Sequence, residues 1–330
     1  MSGNGQPLTA VMLVGFGGPD CLDSVGPFMR NLMGYEPSEE LVQQVQRRYL
    51  TIGGSSPLLA IAGELATKLE AKLAEGAHEV PVVIGMRYWD PLIGETLRHL
   101  YEYGVRRVVV VSLSPFESKV ATGAYREALD EAVSDLEEME LVEAPPLHTL
   151  SGFGGLLVGG AAEALTDIKE HTPSLLVFTA HSLPVEDLDE DDPYVPALRG
   201  VVDRIVSILQ MGEGIELDGT DPRLVGVKTY GCLDEPQSWV FAYQSRGNRP
   251  CEWLGPDLDD VIDAAIAGGY RSIAVAPVGF ATDHMETLYD LDVVVAGRVL
   301  DADIEFARAA VPNADELLVD SIAEAITPLL

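Results

Sequence analysis

A histidine and three acidic residues fall close together in the run Asp283–His284–Met285–Glu286–Thr287–Leu288–Tyr289–Asp290. If Asp283 opens a helix, Glu286 and Asp290 stand four apart on one face. Two carboxylates so placed repel unless a proton or a cation lies between them. Helix capping is a plainer account: Asp283 as N-cap with Glu286 three later makes a variant capping box. Capping accounts for Asp283 and leaves Asp290 unexplained. A second candidate is His181, in Thr179–Ala180–His181–Ser182–Leu183–Pro184. An imidazole accepts a proton near neutral pH or binds a borderline metal, although a lone histidine is more often structural. A third segment, Gly15–Phe16–Gly17–Gly18–Pro19, has the look of a phosphate loop. A dinucleotide fingerprint would need GxGxxG opening a helix, and Pro19 and Asp20 stand where that pattern should continue. The segment reads instead as a tight turn that carries Phe16 to a pocket. The acidic run Asp187 to Asp192 reads as a solvated loop rather than a metal-gathering one.

These segments need elements to position them. Short apolar, β-branched runs at Ala10 to Val14, Val80 to Ile84, Arg107 to Ser112, Leu175 to Thr179, Leu224 to Val227 and Ser272 to Ala276 predict strands buried on both faces of a parallel sheet. Helical spacing over Ala60 to Ala74, Tyr125 to Glu140 and Asp257 to Ala267 alternates with them. Strand alternating with helix predicts an α/β protein with parallel sheets. In such sheets ligands bind beyond the carboxyl ends of strands, where His181, the Asp283–Asp290 segment and the glycine turn all fall. The pattern occurs twice, with a break near Pro145–Pro146. The expected division is residues 1–147, 148–312 and a terminal segment 313–330, whose helix (Ala314 to Leu329) could return to the first domain.

A chain of 330 residues that is 47% hydrophobic suits two domains of about 150 residues. The formal charge of −32 disfavours nucleic acid and anionic lipid as partners. It fits either a solubility adaptation or the gathering of divalent cations. No apolar stretch is long enough to predict a membrane helix, and Met1 to Thr9 lacks the order of a signal peptide. A cytoplasmic protein without stable membrane insertion is expected. Cys21, Cys232 and Cys251 are widely spaced and form no CxxC, so free thiols are expected.

Seven pieces of the sequence carry a resemblance. Gly53–Gly54–Ser55–Ser56–Pro57–Leu58, Gly85–Met86–Arg87–Tyr88–Trp89, Thr122–Gly123, Ala180–His181–Ser182–Leu183–Pro184, Tyr243–Gln244–Ser245, Trp253–Leu254–Gly255–Pro256 and Pro277 to Asp290 resemble ferrochelatase motifs, in that family's order and spacing. The resemblance implies two Rossmann-like domains with a porphyrin in the cleft between them (the chelatase fold), and insertion of Fe²⁺ to make a haem. That reaction must remove two pyrrole protons and deliver iron without its water shell. The resemblance gives this work to His181 and Glu286, as proton acceptor and iron ligand with the roles unseparated. It makes Asp290 a second acidic residue, relaying metal or protons. It places Arg48, Tyr49, Ser56 and Tyr125 at the porphyrin propionates, Arg48 through a charge-assisted pair.

Departures from the family pattern matter as well. Phe16 stands where some members carry an iron-ligating tyrosine, so no axial ligand is expected there. Met33–Gly34–Tyr35–Glu36 replaces a basic cluster, and Val294 replaces a third acidic residue of the metal face. No cysteine follows Cys251, so no [2Fe–2S] cluster is expected, and no permanently bound cofactor; Fe²⁺ enters as substrate. The short segment between Phe28 and Gly53 resembles the coproporphyrin III ferrochelatases of Gram-positive bacteria, with haem-pathway enzymes as possible partners. Three alternatives stay open: a protoporphyrin IX ferrochelatase, a cobalt or nickel chelatase for sirohydrochlorin, and a non-catalytic haem- or porphyrin-binding homologue.

Overall fold

The computed structural model describes residues 8–168, 172–234 and 237–330. They form two compact units. One takes the described residues up to Glu117, Ala121–Phe153 and Asn313–Leu330; the other takes Ser118–Val120 and Gly154–Pro312. The division therefore falls at Phe153/Gly154, inside a helix and beyond the Pro145–Pro146 pair.

The first unit is built on four parallel strands among its described residues: β1 (Leu8–Gly15), β2 (Val82–Met86), β3 (Val105–Ser112) and β4 (Glu140–Glu143), in the order β2-β1-β3-β4. Ala10, Val11, Met12 and Leu13 are fully buried, as a central parallel strand with both faces covered requires. Its helices are α1 (Val25–Met33), α2 (Glu39–Thr51), α3 (Leu58–Glu75), α4 (Ile93–Glu102) and α5 (Ala121–Val133). One face of the sheet packs Met12, Val14, Val108 and Val110 against Ile93 and Leu97 of α4 and Leu129 of α5. The expected helix over Tyr125 to Glu140 is shorter than predicted. It ends at Val133, the chain turns through a left-handed Glu138 (φ 61°), and Glu140 opens β4.

The turn after β1 shows why its glycines are there. Gly17 has φ 92°, and a Cβ on Gly18 would lie 2.6 Å from the Ser56 side chain. They let backbone and Ser56 meet closely.

The helix α6 (Ser151–Asp167) spans the division between the units. The second unit holds six described strands: β5 (Ser174–His181), β6 (Ile215–Leu217), β7 (Thr229–Cys232), β8 (Gln237–Gln244), β9 (Ser272–Ala276) and β10 (Glu305–Arg308). Their order is β10-β9-β5-β8-β7-β6. β10, β9, β5 and β8 are parallel; β7 and β6 continue antiparallel. Helices α7 (Tyr194–Ile208), α8 (Leu258–Ala267), α9 (Met285–Leu288) and α10 (Ala296–Asp301) belong here, with a π-helical turn at Asp290–Val295 between the last two. Asp257 caps α8, accepting from the Asp259 N–H.

The strand expected at Leu224 to Val227 is instead two successive turns, Leu224 N–H to Asp221 O and Val227 N–H to Leu224 O, with Gly226 left-handed (φ 84°). Leu224 and Val227 are apolar because they enter the core from those turns, and a short apolar run does not distinguish the two cases. β8, beside β5 in the sheet, lies outside the strands the sequence predicts.

The terminal helix α11 (Glu316–Ile326) belongs to the first unit and lies along α3. Lys68 of α3 pairs with Glu316 at 3.1 Å and donates to the Ala314 carbonyl, and Lys72 pairs with Asp320 at 2.7 Å. No described helix is long and apolar enough to cross a membrane.

Candidate functional site

In the second unit, β5 and β9 are hydrogen-bonded neighbours and end on the same side because they are parallel. His181 is the last residue of β5. Beyond β9 the chain folds back at Gly279, whose N–H donates to the Thr179 carbonyl at 3.0 Å, and then enters α9. This brings Glu286 to the histidine: His181 Nε2 lies 3.3 Å from Glu286 Oε1. The other carboxylate oxygen is 3.9 Å from His284 Nε2. One carboxylate thus stands between two imidazoles.

The orientation of His181 is fixed on both sides. Its Nδ1 pairs with the Ser182 carbonyl, which can only accept, so Nδ1 carries a proton. In the neutral ring the basic lone pair is then on Nε2, facing Glu286. The Tyr194 hydroxyl donates to the His181 carbonyl at 2.8 Å and pins the strand end. Gln244, buried at the end of β8, braces Glu286. Its amide donates to the Glu286 carbonyl at 2.8 Å while its oxygen accepts from the Thr179 hydroxyl at 2.7 Å. Ser245 is left-handed (φ 59°), an unusual conformation for a residue with a Cβ, and donates to Asp290 Oδ2 at 2.6 Å.

Burial disfavours a charge on His181, but the Glu286 carboxylate outweighs it and the pKa is pushed up to about 9. The Ser182 carbonyl and, more weakly, Asp290 act in the same direction. Burial likewise works to raise Glu286, yet His181 holds it below the usual carboxylate range. His284 moves the other way: burial takes its pKa down, and its Nδ1 has no hydrogen-bond partner among the described residues. At neutral pH the cluster therefore holds an imidazolium–carboxylate pair beside a neutral imidazole. One proton occupies the position between Nε2 and Oε1, and a divalent cation would compete for the same two lone pairs.

The expected Asp283 cap moves by one residue. His284 is the N-cap of α9, and the Thr287 hydroxyl accepts from its N–H at 3.0 Å. Asp283 instead pairs with Arg308 at 3.3 Å and accepts from the Thr287 hydroxyl. Asp290 lies at the start of the π-helical turn, held by Ser245. No group of three or more His, Cys, Asp or Glu side chains that could hold a metal ion is found among the described residues. Gln244, Ser245, Tyr194 and His284 are functional candidates to which the sequence assigned no role. The only signal for them was membership of the quoted motifs or nearness to them.

Gly279 allows this arrangement. A Cβ there would lie 2.5 Å from Ala180 Cβ and 2.7 Å from its Cα. Gly279→Ala is expected to destabilise the protein by about 1–3 kcal/mol through overpacking. Thermal unfolding measures this; an unchanged midpoint would refute it.

The remaining expected residues lie in the first unit. Phe16, 39% exposed, follows β1 and packs on Tyr88 (centroids 4.7 Å apart) and Phe28 (6.3 Å); Phe28 meets Trp89 edge-on at 6.4 Å. Arg48 and Tyr49 are in the last turn of α2, and the Gly54 N–H donates to the Tyr49 carbonyl on the way to buried Ser56. Ser56 in turn touches the glycine turn through Gly18. Tyr125 of α5 lies in a pocket with Val14, Ser112 and Pro145, its hydroxyl 3.2 Å from Ser114 Oγ.

Comparison with known proteins shows the family and the fold. The Ferrochelatase family model matches residues 8–329. A protein named Ferrochelatase from Herpetosiphon aurantiacus is 29% identical over 97% of this chain and 98% of its own length. Another, named Coproporphyrin III ferrochelatase, from Mycolicibacterium smegmatis, is 32% identical over 96% and 89%. Among solved structures, SirB from Bacillus subtilis with Fe³⁺ aligns with a TM-score of 0.51 at 12% identity, over 97% of this chain and 94% of that one, a likeness of fold. The chain belongs to the ferrochelatase family.

Proposed function

We propose that this protein inserts Fe²⁺ into coproporphyrin III, giving coprohaem for haem synthesis. The observation that carries the proposal is the His181–Glu286 pair, 3.3 Å apart, His181 at the end of β5 and Glu286 in α9 beyond the end of the neighbouring parallel strand β9. Insertion consumes Fe²⁺ and releases two pyrrole protons. Iron arriving at the pair displaces the shared proton, because metal and proton use the same lone pairs. Once iron passes to the ring nitrogens, an imidazole and a carboxylate are left as acceptors for the pyrrole protons. A base with its pKa near 9 holds such a proton firmly at neutral pH. Asp290, close enough to influence His181, relays protons or metal.

Arg48, Tyr49, Ser56 and Tyr125 supply donors for the propionates, and Phe16 offers the ring an apolar contact without ligating iron. Fe²⁺ acts as substrate; neither a resident cofactor nor a [2Fe–2S] cluster is needed. The substrate assignment is supported by the short segment between Phe28 and Gly53 and by relatives named for coproporphyrin III. A cytoplasmic location fits the charge of −32, with porphyrin passing from and to other enzymes of the pathway.

The test is anaerobic mixing with Fe²⁺ and either coproporphyrin III or protoporphyrin IX, following the loss of the metal-free porphyrin bands. A kcat/KM at least about tenfold higher for coproporphyrin is expected. Preference for protoporphyrin would overturn the substrate assignment. Binding without metallation of either porphyrin would make the protein a carrier.

A further inference from the structure

The His181–Glu286 pair depends on α9, a helix of only four residues. So short a helix does not hold its own shape in water, and the direction in which it presents Glu286 has to be fixed from outside. Gln244 does part of this through the Glu286 carbonyl. The sheet supplies a second hold. In the order β10-β9-β5 the three strands are parallel. The chain that leaves β9 therefore has the end of β5 on one flank and the end of β10 on the other. β5 ends in His181, and β10 ends in Arg308.

Four carboxylates fall in the ten residues from Asp283 to Asp292. Arg308 takes two of them. Its guanidinium lies 3.3 Å from Asp283 Oδ1, ahead of α9, and its Nε donates at 2.6 Å to Asp292 Oδ1, in the π-helical turn that follows. Arg308 is 14% exposed and Asp283 16%, so solvent screens this contact little. Asp283 passes the hold into the helix. Its Oδ1 accepts from the Thr287 hydroxyl at 2.9 Å, and the Thr287 oxygen accepts from the His284 N–H at 3.0 Å. The other two carboxylates turn elsewhere, Glu286 to His181 and Asp290 to Ser245. One planar fork thus grips the chain on both sides of Glu286, which a point charge cannot do with the same geometry.

We propose that Arg308 is a positioning residue for iron insertion: by tying Asp283 to Asp292 it fixes the direction of α9 and holds Glu286 against His181. This rests on the reading of His181 and Glu286 as the residues that receive iron.

The experiment compares wild type, Arg308→Met, Arg308→Lys and Glu286→Gln. Steady-state metallation is followed anaerobically with Fe²⁺ varied, on whichever of coproporphyrin III and protoporphyrin IX the wild type accepts. Porphyrin fluorescence quenching gives Kd and the number of intact sites, which corrects kcat for any unfolded fraction. Arg308→Met is expected to lower kcat about tenfold to a hundredfold and to raise KM for Fe²⁺ about tenfold, the scale of a misplacement of about 1 Å. Porphyrin Kd should stay within about twofold, because the residues assigned to the propionates are untouched. The sign of the KM change tells positioning from other roles. Losing a cation beside an iron site would by itself favour Fe²⁺ and lower its KM, and a role confined to stability would leave KM where it is. Arg308→Lys keeps the charge without the fork and should fall between wild type and Arg308→Met; if the methionine variant does not fold, the lysine variant decides by the same rise in KM. An unchanged or lowered KM for Fe²⁺ in the folded variants would overturn the proposal, as would a porphyrin Kd that weakens in step with the rate. Wild-type kinetics in Glu286→Gln, or a wild type that metallates neither porphyrin, would overturn the functional reading and this inference together. An impaired Glu286→Gln beside unaffected Arg308 variants would overturn this inference alone.

Discussion

His181→Ala is expected to slow iron insertion by about 10²- to 10⁴-fold, the usual range for losing a positioned acid–base group, while the porphyrin still binds. The imidazole faces Glu286 through Nε2, and its orientation is set by the Ser182 carbonyl. Tyr194 holds the backbone carbonyl of residue 181, so the strand end survives the substitution. The residues assigned to the propionates lie in the other unit and keep their side chains. Anaerobic single-turnover metallation with porphyrin fluorescence quenching separates the two effects. A rate within a few-fold of wild type would remove His181 from the chemistry. Loss of binding together with rate would make it a porphyrin-binding residue.

Glu286→Gln has the second large effect, because it acts through the histidine as well as directly. Burial alone takes the His181 pKa down; the Glu286 carboxylate is what brings it up to about 9. With a neutral amide in place, the histidine is expected to titrate below its ordinary 6.5. The sign for stability follows from linkage. The raised His181 pKa contributes stability that is complete below pH 6.5 and is lost as pH rises through about 9. The lowered Glu286 pKa contributes stability that is complete above 4.5 and is lost as pH falls through its folded value. The wild type's advantage over the variant should therefore be greatest between those two ordinary values and shrink toward pH 9. The groups titrate as a pair, so histidine NMR titration and thermal unfolding across pH are to be read together. A His181 pKa unmoved in Glu286→Gln would refute the coupling.

Much of the site was legible because of where its residues fall. His181 and Glu286 follow Leu175 to Thr179 and Ser272 to Ala276, two runs so apolar and β-branched that β5 and β9 were predicted, the second with its observed ends. That these strands are neighbours is a matter of topology, and local pattern does not encode it. The bracing by Gln244 and Ser245 depends on β8, which the sequence reading did not place. The Asp283 cap was displaced by a partner, Arg308, from a distant strand, and no local pattern reveals such an ion pair. The glycines of the turn after β1 answer to close contact with Ser56 and Trp89, residues far along the chain.

The pairing of α11 with α3 also bears on how the protein is made. The second unit is nearly continuous, Gly154–Pro312, whereas the first takes its last helix from Asn313–Leu330. Domains ordinarily fold in the order in which the ribosome delivers them, the N-terminal one first. Here the N-terminal unit waits. Until Glu316 and Asp320 have been made, the stripe on α3 that carries Lys68 and Lys72 lacks its acidic partner, while the described strands of the second unit have already emerged. Of the two units, the one that starts earlier in the chain is completed later, and a nascent chain stalled before α11 would present that uncovered surface to chaperones.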